Sequence, residues 1–443
     1  MRKIIGIMAV ASMAFSLAVF AGDKLSTQEL LNNLKNSDAG KRAKAANELG
    51  DRGEKLGIPA LVEATGDKEQ KVQMEAVVAL GKINDPSKVA SLSTALRNSS
   101  GAAQKEAMHL LTEHYIPPAE RGALKELWNS MESLFSPPHP VVVEPWIQVD
   151  RQAIDALIYV LDDKSSENRI DAAATLGILR AEPAIPRLAY YLRSPNEKMA
   201  RTCVRSIGYI GNPEAGRDLI PILGHTDEKI VADTARVLGQ FRYRDALPEL
   251  VRLLDYSRDK ELRKVSFQAI SRIGDPSSEQ IMKKYFVSDD KDMRQYAIEG
   301  FGRMNLRGYV DPLEREFQRE DSRQIKLALS FSLFSLGDTA YIDTLVRSLD
   351  DNLFKEQVRE YLYELGPRAV PKIADYLKVQ DTSFKIRIIR VLGDMHQTEA
   401  IAYLEPLMKD KNLEIAQAAT DAIRELKNIE RMPVADQAQN IAQ

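Results

Sequence analysis

Along most of the chain an apolar residue followed by a small one returns at a fixed distance. The strong pairs are Leu49-Gly50, Leu80-Gly81, Leu176-Gly177, Ile207-Gly208, Leu238-Gly239, Phe301-Gly302 and Leu392-Gly393. Leu111-Thr112, Ile270-Ser271, Leu333-Phe334 and Ile423-Arg424 fill the gaps as weaker members. The steps are 31 or 32 residues, except across 112–177 and across 334–393, where a degenerate unit hides around Tyr361 to Pro371. A period of this size marks stacked helical pairs, because one pair cannot bury its apolar face alone. Four positions before the apolar residue the side chain is small (Ala45, Ala76, Ala107, Ala172, Cys203, Thr234, Ser266, Ala297, Ala419), as a close crossing of neighbouring helices requires. The other helix of the unit often opens on proline, at Pro59, Pro186, Pro248 and Pro371, where the missing N–H costs nothing. The glycines read as helix closers at repeat intervals. The pattern predicts an all-α, right-handed solenoid of about twelve helix-turn-helix units, bent into a curved rod.

These residues resemble HEAT repeats, in the short HEAT-like form first associated with phycobilin lyases. The resemblance runs over about residues 26–427. It implies a fold rather than an activity, because such repeats serve scaffolds, adaptors and a few enzymes.

A second periodic feature is ionic. Eight residues before the glycine position a base is common: Arg42, Arg169, Arg263, Arg294, Lys326 and Lys385. Acidic residues lie shortly upstream of several of these, at Asp163, Asp259, Asp290 and Asp321, and such pairs predict a ladder between adjacent turns.

One segment breaks the period. Repeats are expected over 26–115 and 151–427, with residues 116–150 between them as an insertion or a degenerate repeat. Both tryptophans, Trp128 and Trp146, lie there, with Pro117, Pro118, Pro137, Pro138, Pro140 and Pro145 and with His139. Long loops in repeat arrays often carry function. The competing reading is a decayed repeat whose tryptophans pack onto units three and four. Residues 428–443 lack repeat features and read as a polar tail.

Met1-Arg2-Lys3 followed by the uncharged apolar run Ile4 to Phe20 and by Val19-Phe20-Ala21 has the order of a secretory signal over residues 1–21. Export, to the periplasm in a bacterium, is the expected destination; secretion or a retained N-terminal anchor are the alternatives. No membrane span is expected after signal cleavage. Lys plus Arg total 61 against 64 Asp plus Glu, a net charge of −3, so no global basic field exists to hold nucleic acid. With 44% hydrophobic and 28% charged residues the chain is not disordered in general.

Candidate chemistry is sparse. The single cysteine, Cys203, stands where other units carry alanine and is read as a core residue. Another HEAT-like class, the deoxyhypusine hydroxylases, holds a di-iron centre through His-Glu dipeptides. Here the residues after histidine are Leu110, Tyr115, Pro140, Thr226 and Gln397, so no such dipeptide exists. No catalytic residue, metal site or cofactor is assigned. Arg205 and Arg236 occupy equivalent places three before the glycine in consecutive units, with Arg201 one turn earlier and Lys264 in the next unit. If the second helices line the inner curve, these form a cationic patch; otherwise they belong to an ordinary solvated face of mixed charge. The expected function is a non-enzymatic, extracytoplasmic scaffold binding a protein partner. Its candidate binding residues are Trp128, His139, Trp146, Arg201, Arg205, Arg236 and Lys264. The alternatives are a lyase-like or other enzyme using the insertion and inner groove as a pocket, and a self-associating envelope component.

Overall fold

The computed structural model describes residues 25–117, 121, 142–379 and 381–430. Among them are 24 α-helices in twelve pairs, and no strand. The chain forms two compact units, Met1–His114 with Asp150–Ala172, and Tyr115–Val149 with Ala173–Gln443.

The first unit contains α1 (Thr27–Asn33) with α2 (Ala39–Asp51), α3 (Ile58–Ala64) with α4 (Gln70–Lys82), and α5 (Lys88–Asn98) with α6 (Gly101–Tyr115). The fourth pair is α7 (Arg151–Asp162) and α8 (Arg169–Ile178), and the boundary between units falls inside α8. The third and fourth pairs stack directly. Asn168 Nδ2 donates to the Gly101 carbonyl at 2.8 Å and to Gln104 Oε1 at 3.1 Å, and Lys105 pairs with Asp171 at 3.0 Å. The repeats on either side of residues 116–150 are therefore direct neighbours in the stack.

The second unit carries the remaining pairs: α9 (Ile185–Tyr191) with α10 (Glu197–Ile210), α11 (Gly216–Leu219) with α12 (Glu228–Gln240), and α13 (Leu247–Tyr256) with α14 (Lys260–Ile273). Next come α15 (Glu279–Phe286) with α16 (Lys291–Arg303) and α17 (Val310–Arg319) with α18 (Arg323–Leu336). The last three pairs are α19 (Ile342–Arg347) with α20 (Lys355–Leu365), α21 (Val370–Ala374) with α22 (Thr382–Asp394), and α23 (Ile401–Leu404) with α24 (Leu413–Glu430). Proline stands in the first turn of α3, α9, α13 and α21, as the spacing predicts.

The repeat glycines do not close helices. Gly50, Gly177, Gly239 and Gly302 lie inside the second helices, and the following second helix passes directly over them. A Cβ added to Gly50 would stand 2.6 Å from Ala79 Cα, one on Gly239 2.8 Å from Ala269 Cα, and one on Gly302 2.7 Å from Ser332 Cα. The absent side chain is what permits the approach, and the small row five residues earlier is buried beside it.

The ionic ladder between adjacent repeats is present, though its acids are not those just upstream of the bases. Asp259 and Asp290 are N-caps of their helices, accepting from backbone N–H groups at the first turn. The bases reach instead into the following repeat: Arg42 grips Asp67 with two parallel bonds at 2.7 and 2.8 Å, and Arg294 meets Glu320 at 2.9 Å.

Candidate functional site

The second helices of the second unit carry one row of residues three positions before the repeat glycine: Arg205, Arg236, Gln268, Glu299 and Phe331. This row faces inward. At its far end α20 lies across it, with the Tyr361 ring stacked on Phe331 at 4.6 Å and the Tyr361 hydroxyl donating to Glu299. The unit is a coil closing on itself rather than an open arc.

Charge holds the closure. Arg303, with 5% of its side chain exposed, places Nε and Nη2 on the two oxygens of Glu364 at 2.8 and 3.0 Å. Its Nη1 reaches Glu299 Oε2 at 2.8 Å and Ser271 Oγ at 3.0 Å. Burial opposes the Arg303 charge, but Glu364 and Glu299 outweigh it and raise the guanidinium above its ordinary value. Burial likewise works against the Glu364 carboxylate, and Arg303, with Arg242 and Arg272 behind it, holds that carboxyl below its ordinary range. Arg242 pairs with Glu364 at 2.6 Å across 122 residues, and Arg272 pairs with Glu360 at 3.1 Å. A cavity of about 290 Å³ opens at this junction, lined by Arg242, Arg272, Arg303, Glu360, Tyr361 and Glu364 among others. Its charged groups are matched to one another.

The near end of the row is different. Three arginines converge on one carboxylate: Asp233 Oδ2 accepts from Arg201 Nε at 2.8 Å and from Arg205 Nε at 2.6 Å, and Oδ1 accepts from Arg236 Nη1 at 2.9 Å. The Asp233 side chain is 7% exposed, whereas Arg201 is 33% and Arg236 54% exposed. The cluster therefore gathers three guanidiniums on one buried carboxylate, two of them well exposed. Lys264 is not part of it, being drawn to Asp290 and Asp292 of the next repeat at 3.1 and 2.8 Å.

Trp146 is likewise elsewhere. Val143 donates its N–H to the Ile178 carbonyl at 2.8 Å, and Trp146 packs edge-on against His396 with ring centroids 5.8 Å apart. This strap, residues 143–146, thus joins the turn after the fourth repeat to the turn after the eleventh, and Trp146 packs against the C-terminal core instead of units three and four. Burial holds His396 below its ordinary value, with Arg180 adding to the effect and Asp394 opposing it. Trp128 and His139 lie outside the described residues. Cys203 is fully buried, its Sγ 3.9 Å from Met199 Sδ. Among the described residues no group of three or more His, Cys, Asp or Glu is placed to hold a metal, and no helix is long and apolar enough to cross a membrane.

Sequence reasoning grouped Arg201, Arg205 and Arg236 but missed Asp233, which stands six residues before Gly239 on α12 and was legible as an i,i+3 partner of Arg236. Glu364 belongs to the degenerate tenth repeat, and no local spacing announces its partners.

A family model for HEAT repeats matches residues 27–111, 185–271 and 217–302. Among solved structures the fold is similar to Kap121p, at 12% identity with a TM-score of 0.43, covering 90% of this chain and 57% of that one. It is similar to the complex of CpcE and CpcF of phycocyanin lyase from Nostoc, at 18% identity with a TM-score of 0.35, covering 66% and 100% of the two chains. Human deoxyhypusine hydroxylase is a third, at 19% identity with a TM-score of 0.28, covering 57% of this chain and 99% of that one. No curated protein matches the sequence. The matched stretches, residues 27–111 and 185–302, are HEAT repeats, and the chain is an all-α solenoid.

Proposed function

We propose that the protein is a non-enzymatic scaffold that works outside the cytoplasm and holds a protein partner against the inner row of its second helices. The observation that carries this reading is the change along that row. Glu299 and Phe331 are covered by the chain's own α20, whereas Arg236 stands exposed. Repeat surfaces of this kind gather affinity from several successive helices. An enzyme would need polar groups converging on a cavity without partners of their own, and the inner cavity pairs its arginines with Glu360 and Glu364.

A photo-crosslinking residue placed at Gln240, compared with one at the exposed Tyr256 on α13, tests the reading in cells. One partner captured from position 240 and absent from 256 is the expected result. The same products from both positions, or only copies of this chain, would overturn it in favour of adventitious contact or self-assembly. Export rests on the charged, apolar and small-residue order of residues 1–21. Intact mass of the native protein is expected to begin at Gly22; retention of Met1 to Phe20 would favour an anchor.

A further inference from the structure

We infer that the Arg201-Arg205-Asp233-Arg236 cluster is a seat for acidic side chains of a polypeptide partner, an assignment that rests on the scaffold reading and gives it a chemistry. The argument starts from how the arginines are held. Arg201 touches Asp233 only through Nε, and Arg236 only through Nη1. Fixed at one nitrogen, each turns further N–H donors toward the solvent. A guanidinium recognises a carboxylate best through two parallel N–H bonds, and Arg201 retains both of its terminal nitrogens for that purpose. Asp233 anchors Arg201 and Arg236 without neutralising both, because one carboxylate serves two exposed guanidiniums. Two long side chains are thereby ordered before any ligand arrives, which lowers the entropy lost on binding.

The surroundings select a polypeptide. The anchoring carboxylate is 7% exposed and Arg205 15%, so the cluster is recessed between α10 and α12. A flat bilayer surface meets protruding cations, whereas the side chains of an extended segment enter a recess. The same inner row continues through Gln268, which offers a polar neighbour and no competing acid. Farther along, Glu299 is already engaged by Arg303 and Tyr361, so the charge that would repel an acidic segment is covered.

The test uses the full mature chain and a fluorescein-labelled octaglutamate peptide, with phosphatidylglycerol vesicles and inorganic phosphate as separate arms. Wild-type protein is expected to bind the peptide in a salt-sensitive manner. Arg201→Ala/Arg236→Ala should weaken it about tenfold or more. Arg201→Lys/Arg236→Lys, which keeps the charge and loses the fork, should fall in between. Arg252→Ala on α13, a base outside the inner row, should leave binding unchanged. Equal binding by Arg252→Ala and both double variants overturns the assignment, as does binding of vesicles or phosphate alone with no peptide affinity. Should the alanine pair unfold, the lysine pair decides: wild-type affinity in that folded variant rejects the fork. If crosslinking at Gln240 still captures a partner while the arginine variants change nothing, this assignment fails and the scaffold reading stands. If neither responds, both fail.

Discussion

At the scale of single residues, the fold turns on what is missing from a side chain. Gly239 faces the backbone of Ala269 at a distance that no Cβ tolerates, whereas Gly224 has nothing within 4 Å of the same position. Gly239→Ala should therefore cost about 1–3 kcal/mol by forcing two helices apart, and Gly224→Ala should be nearly silent in thermal melts. Cys203 offers the opposite case, a small, fully buried side chain whose Sγ lies 3.9 Å from Met199 Sδ. Cys203→Ala should lower stability by about 1 kcal/mol or less and leave partner capture intact. Loss of capture by a folded Cys203→Ala protein would reassign the thiol. Both positions were legible in the sequence as members of a 31-residue row. What the row did not disclose was which small residue sits at the crossing itself, because spacing gives a face and not a distance.

Between elements, two contacts respond to pH in opposite chemical ways and in the same direction. The folded-state value of Glu364 lies below its ordinary value near 4.3, so its contribution is complete at neutral pH and disappears as the pH falls through the folded value. Glu364→Gln should cost about 3 kcal/mol at pH 7, where it strands Arg303 without its main partner, and the gap to wild type should narrow in melts at pH 3. His396 is kept neutral by burial, so the fold excludes a proton that the unfolded chain accepts below about 6.5. Its contribution is complete above that value and falls on acidification beneath it. The wild-type melting temperature should drop between pH 7 and pH 5 more than that of His396→Asn; parallel profiles would dissociate the strap from this titration. Neither contact was visible in the sequence. Tyr361 and Glu364 sit in the unit whose repeat pattern has decayed, and Trp146 and His396 are joined across 250 residues that no period connects. The decay has a reason in the structure: α20 must face the inner row of earlier repeats as well as its neighbours, so its residues serve a second surface.

For the molecule as a whole, a stack of repeats is ordinarily stabilised by neighbours alone, and losing terminal repeats then leaves the others standing. The second unit departs from that rule, since α20 is bonded to the seventh and eighth repeats and to the turn after the sixth. Removing residues from 352 onward should increase hydrogen exchange in α14 and α16 as well as in α18. Exchange confined to α18 would show that the repeats are energetically independent. The bond between Arg303 and Glu364 also sets an order in time. The 61 residues separating them take about 3–12 s to synthesise at ordinary rates. Throughout that interval the arginine that ends up nearly sealed has only Glu299 of its two carboxylate partners. Whichever route delivers the chain, it delivers this cation first and its counter-ion later, and the eighth repeat finishes folding only when the tenth arrives.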